Sequence, residues 1–130
     1  MNYEKLEQKV LDATARFLER RGMEILDKEY DCAFGYMDVI ARDEDGVIRF
    51  VRCTARRWAL PDDEPADRYS RSTLERIAIE WLDAHPDVSD SSVTFDVIDF
   101  AIFGENYNRA LLRHYRNVLE LPDAAFQPEK

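Results

Sequence analysis

Near the N-terminus, Leu6, Val10, Phe17 and Leu18 recur at helical spacing with Thr14 among them, and Gly22 follows as a stop. The spacing predicts an amphipathic helix over residues 3–20. Segments 23–31, 34–43 and 47–54 are short and rich in β-branched and aromatic residues, which predicts three strands running as a meander. Residues 55–66 contain Pro61, Pro65 and the acidic run Asp62, Asp63, Glu64, and read as a loop or helix lead-in. Leu74, Ile77, Ala78, Trp81 and Leu82 then share one face of a second helix. Ser72 and Glu75 stand at capping-box spacing there, and Pro86 lies beyond its end. An apolar run from Val93 to Phe103, broken by Asp96 and Asp99, predicts a central strand. Residues 109–120 fit two periods. Leu111, Leu112, Tyr115, Val118 and Leu119 share a helical face, alternation around Arg113 fits a strand, and periodicity leans to the helix. Strands framed by helices imply an α/β domain over residues 1–121, followed by a loosely held tail over 122–130.

Composition narrows the class. With 130 residues, 45% hydrophobic and 12% aromatic, the chain can bury one sizeable core. No run approaches the roughly 20 apolar residues that cross a bilayer, and Met1 to Lys9 lacks a signal-peptide core, so the expectation is a soluble cytoplasmic protein with no membrane partner. Cys32 and Cys53 are too few for a disulfide framework or a zinc set and read as buried thiols. His85 and His114 are isolated in sequence. A formal charge of -9 opposes general phosphate binding, yet Arg49, Arg52, Arg56 and Arg57 crowd one segment, with Arg68, Arg71 and Arg76 following. Arg56 and Arg57 with Trp58 are the candidate nucleic-acid contacts, basic groups for phosphates and a ring for a base. Trp81 and Tyr69 read as core residues.

The turn at Asp43, Glu44, Asp45, Gly46 decides which residues meet. A two-residue loop at Asp45 and Gly46 would set Asp38 opposite Cys53; a three-residue loop ending in a left-handed Gly46 sets Asp43 opposite Val47, Asp38 opposite Arg52 and Tyr36 opposite Thr54. The three-residue form is the expectation. It places a carboxylate and a guanidinium at pairing distance, where a planar two-pronged contact is reasonable.

The run Tyr30 to Asp43, YDCAFGYMDVIARD, resembles the signature strand of the YraN-like family, which reads approximately N-[YW]-R-C-R-x-G-E-[IL]-D-L-I-A-R-D. Ala15 to Gly22 is similar to that family's A-x-Y-L-x-x-x-G, Phe50 and Val51 to its F-V-E-V-K-T-R, and Phe95 to Val97 to its R-F-D-V-V. Leu112 to Asn117 resembles its L-R-H-I-x-N, an edge strand, and this turns the reading of that segment from helix to strand. The resemblance spans residues 6–119. It implies a restriction-endonuclease-like α/β/α sandwich, order αβββαββ, around a mixed central sheet.

Active proteins of that fold hold Mg²⁺ through an Asp, the Glu of E-x-K and a further acid, the Lys assisting water activation, because hard cations prefer carboxylate oxygens. On this resemblance Asp38 alone survives, as a relic of the catalytic set. Tyr36 replaces the preceding glutamate, Arg52 and Thr54 stand where E-x-K has its Glu and Lys, Leu11 matches the first-helix glutamate, and Ser70 matches a second-helix lysine. The resemblance therefore implies an ancestral Mg²⁺ that is lost, no cofactor and no metal site, with Tyr36 filling vacated space. The expected function is non-catalytic binding of nucleic acid or protein. The alternatives are an active nuclease with acids migrated to Glu64, Glu75 or Glu80, and a structural homodimer.

Overall fold

The computed structural model describes residues 3–57, 70–104 and 109–118, with side chains from residue 7 to residue 55 of the first stretch. Helix α1 spans Tyr3–Arg20 and buries Val10, Thr14 and Leu18 of the stripe that its spacing predicts, joined by Leu11 and Ala15, while Phe17 is half-buried. Gly22, at φ +86°, ends it in the left-handed region that costs glycine nothing.

Strands β1 (Glu24–Cys32), β2 (Gly35–Arg42) and β3 (Ile48–Arg57) form the antiparallel meander. Helix α2 (Arg71–Asp83) and a 3₁₀ turn (Pro86–Val88) lead into β4 (Val93–Phe103), which runs parallel to β3 along ten rungs, and β5 (Arg109–Tyr115) returns antiparallel to it. The order is αβββαββ and the five-stranded sheet is mixed. α1 covers one face with Val39, Ala41, Val51, Ile98 and Phe100, while α2 covers the other with Met37, Ile40, Phe50, Trp81 and Phe95, giving an α/β/α sandwich.

Two expectations change. The cap of α2 is Ser70, whose Oγ accepts from Thr73 N–H, so Ser72 and Glu75 lie inside the first turns and form no capping box. Residues 109–115 are the strand that the family resemblance implies, pairing to β4 and packing of Leu112 on the α1 side outweighing the helical period. Arg49 leaves the basic patch: it is buried, with Nε 2.9 Å from Asp43 Oδ2 and Nη1 3.1 Å from Asp96 Oδ2. Tyr69, Arg68, Glu64 and the tail over 122–130 lie outside the described residues.

Candidate functional site

The hairpin between β2 and β3 takes the three-residue form. Asp43 N–H donates to the Val47 carbonyl, Gly46 has φ +84°, and the register runs from Arg42↔Ile48 to Val39↔Val51. There the two strands part. β2 continues to Gly35 beside β1 and β3 continues to Arg57 beside β4, so a fork opens between them, and continuing the count brings Asp38 opposite Arg52 and Tyr36 opposite Thr54.

Local backbone explains why Asp38 turns into the fork. Met37 packs on the α2 side and Val39 on the α1 side, so regular alternation breaks at the residue between them. On the neighbouring strand, Glu29 adopts a left-handed φ of +54° between the rungs Lys28↔Val39 and Tyr30↔Met37. With the ladder interrupted, the Asp38 side chain supplies the acceptor that β3 would otherwise find in β2: Cys53 N–H donates to Asp38 Oδ2 at 2.9 Å.

Arg52 closes the mouth. Its Nη1 donates to the Tyr36 carbonyl at 2.8 Å and stands 3.6 Å from Asp38 Oδ2. In place of the expected two-pronged pair, the Nη1 hydrogen bond goes to the Tyr36 carbonyl, and the carboxylate stands at ion-pair distance. Both side chains are largely enclosed, at 12% and 14% exposure. The Tyr36 ring centroid lies 5.9 Å from the same guanidinium. Burial, and then the charge of Asp38, push its phenol up to about 12, so it remains a neutral group. Burial followed by the Asp38 charge likewise pushes the Cys53 thiol up to about 12, which removes it as a thiolate nucleophile or ligand. Thr14 Oγ1 is buried without a conventional partner, and the polar atom within its reach is the Cys53 sulfur, a weak acceptor.

The remaining predicted positions go different ways. Thr54 Oγ1 donates to the buried Asp99 Oδ1 at 2.7 Å, and Asp99 Oδ2 lies 4.0 Å from Arg113. Leu11 is a core residue of the α1 side, Ser70 serves as the helix cap, and Glu75 and Glu80 are exposed on α2. Arg56 and Arg57 stand on β3 opposite Ala101 and Ile102, their side chains outside the described residues together with Trp58. Cys32 and Cys53 are free and half-buried.

Sequence reasoning missed a second polar centre. Asp96 is fully buried and collects Arg49, His114 Nε2 at 2.9 Å and the Asn117 N–H at 3.1 Å. Its signal was present, since a carboxylate inside an apolar strand needs partners.

A divalent cation needs several oxygen ligands. Among the described residues at the fork, Asp38 Oδ2 already accepts a backbone N–H and faces a guanidinium, and beside it stand a neutral phenol, a neutral thiol and a hydroxyl committed to Asp99. The donors among the described residues do not fit Mg²⁺. Among the described residues no group of three or more His, Cys, Asp and Glu is placed to hold a metal ion.

The model of the uncharacterised protein family UPF0102, the YraN-like group, matches residues 12–100. The chain belongs to this family. A UPF0102 protein of Roseiflexus castenholzii is 36% identical over 90 residues, covering 68% of this chain and 72% of the relative. One from Myxococcus xanthus is 34% identical over 106 residues, 79% of each chain. The UPF0102 match includes the fork and ends at Phe100, just beyond Asp96 and Asp99. No described helix of this UPF0102 protein is long and apolar enough to cross a membrane.

Proposed function

We propose that this UPF0102 protein is catalytically silent and works by binding nucleic acid or another protein. The observation that carries the reading is the state of Asp38, whose Oδ2 accepts from Cys53 N–H while the Arg52 guanidinium stands 3.6 Å away. A fixed cation beside the Asp38 carboxylate offsets its charge and repels a second cation. The metal chemistry that the family resemblance implies needs a bound nucleophile and a clamp on the phosphate, and an Asp38 carboxylate facing Arg52 is a poor start for either.

Calorimetric titration of the full chain with Mn²⁺ and with Mg²⁺ tests this, run beside incubation of supercoiled and branched DNA. The expected result is no saturable heat and no cleavage above that of Asp38→Ala. Saturable binding of either ion that Asp38→Ala abolishes would overturn the reading.

A further inference from the structure

β2 is apolar on both faces. Met37 and Ile40 pack on the α2 side, Val39 and Ala41 on the α1 side, and all four are fully buried. Side chains alternate along a strand, so sliding this one by a residue exchanges apolar groups for apolar groups. Hydrophobic patterning therefore sets the register of β2 weakly. Its ladder to β3 is also short, four rungs from Arg42↔Ile48 to Val39↔Val51, against ten that fix β3 on β4. A two-residue loop at Asp45 and Gly46 would slide it by one, with Val39 opposite Arg52 and Asp38 opposite Cys53.

A buried chain of charges ties the turn to the sheet. Asp43 Oδ1 accepts from the Asp45 N–H at 2.9 Å and from the Val47 N–H at 3.0 Å, and its Oδ2 accepts from Arg49 Nε at 2.9 Å. Arg49 Nη1 reaches on to Asp96 Oδ2 of β4 at 3.1 Å, and Asp96 is held in turn by His114 of β5 and the Asn117 N–H. Asp43 and Arg49 stand two residues from Ala41 and Val51, on the same α1 face. One residue of slip would turn Asp43 to the α2 face and take its carboxylate from Arg49. Where buried ionic groups have a demonstrated role beyond stability, it is most often to select one register among close alternatives.

We propose that Asp43, Arg49 and Asp96 form a register lock, and are thereby the positioning residues that keep Asp38 facing Arg52 at the fork. The turn backbone works with the lock, since the two-residue loop asks a positive φ of Asp45 as well as of Gly46. The lock goes beyond the binding reading and does not depend on it. Register is read directly, whereas the metal titration reads the fork.

The test gives the turn a reason to slip. Asn-Gly is the strongest short signal for a two-residue loop, and Asp45 is exposed, so Asp45→Asn biases the turn and leaves the side chains of the lock in place. Asp43 and Val47 share a hydrogen bond, so by alternation Ile40↔Phe50 is a pair without one, its two Hα atoms close together. Slipped by one residue, Phe50 meets Ala41 instead. NMR of the full chain reads which Hα the Phe50 Hα touches. Asp45→Asn alone is expected to keep the Ile40 contact. Asp45→Asn/Asp43→Ala and Asp45→Asn/Arg49→Met are expected to exchange it, wholly or in part, for the Ala41 contact. Where a double variant fails to fold, Asp43→Ala alone is read in its place, since it keeps Arg49 beside Asp96, and it too must show the Ala41 contact. Slip in Asp45→Asn alone would overturn the proposal, because an intact lock then fails to hold. So would a loss of stability in the other variants with the Ile40 contact unchanged, which would make the three residues supports of the fold and nothing more.

Discussion

Arg49 and Arg52 stand three residues apart on β3 and meet very different surroundings. Arg52 sits at the fork between a carbonyl and one carboxylate, whereas Arg49 is buried between Asp43 and Asp96. Removing one member of a buried pair leaves the other charge without compensation, at a cost of about 3–5 kcal/mol. Arg49→Met is therefore expected to lower unfolding free energy by about 3 kcal/mol in urea titration, and a loss under about 1 kcal/mol would show that His114 and Asn117 suffice for Asp96. Burial pushes the Asp96 carboxyl up, but the His114 hydrogen bond, the Asn117 N–H and the Arg49 charge outweigh it and hold it below the usual carboxylate range. Asp43 is also held low, burial being overcome by the Val47 N–H, Arg49 and the Asp45 N–H. A folded-state pKa below the unfolded value gives stability that is complete above the unfolded pKa and is lost as pH falls through the folded one. The protein should thus lose stability progressively below about pH 4, the ordinary Asp range. Denaturation midpoints measured down that range should fall less steeply for Asp96→Asn, and an unchanged slope would remove Asp96 from the account. These partners were hidden in sequence because Asp43, Arg49, Asp96 and His114 come from four separate segments, and only folding brings them together.

Elements differ in how much of their identity is local. α1, α2 and β4 are written in their own hydrophobic periods, and the β2–β3 turn in the left-handed requirement at Gly46, which also sets the pairing of Asp38 with Arg52. β5 is not written that way. Leu111, Leu112 and Tyr115 satisfy a helical stripe equally well, and what makes them a strand is the exposed ladder of β4, a tertiary fact. The helix cap failed for a smaller reason, since Ser70 and Ser72 are both plausible caps and the backbone enters the helix at Ser70 with ψ 162°. Substitution separates them: Ser70→Ala should cost about 1 kcal/mol in thermal or urea unfolding. Ser72→Ala, already within the helix, should change stability little or raise it slightly, since alanine is the better helix former. Equal losses at both positions would return the cap to dispute. At Gly46 nothing lies within 4 Å of an added Cβ, so Gly46→Ala probes backbone conformation alone and is expected to cost about 1–2 kcal/mol.

At the scale of the whole molecule, charge decides what a binding reading can mean. Of the arginines that crowd β3, Arg49 is consumed in the core and Arg52 in the fork, which leaves Arg56 and Arg57 at the strand end as the sequence-predicted phosphate contacts. The sandwich was legible because two helical stripes and the meander periods demand opposite faces of one sheet. The closed state of the fork was legible only in part, since turn parity gives the Asp38 and Arg52 juxtaposition but not the bond from Cys53 N–H. A body of charge -9 works against nucleic-acid affinity, so what Arg56 and Arg57 contribute has to be read from its salt dependence. Single strands lose roughly 0.7 in logarithmic slope for each phosphate contact that is removed. In filter binding of a (dT) oligonucleotide across salt, Arg56→Glu/Arg57→Glu should therefore flatten the slope by about 1.4 relative to the unaltered chain, besides weakening binding at every salt concentration. A parallel fall in affinity at unchanged slope would mean that the two side chains shape the strand end without touching phosphate. Absence of any salt-dependent binding would remove nucleic acid from the proposed function and leave the protein partner.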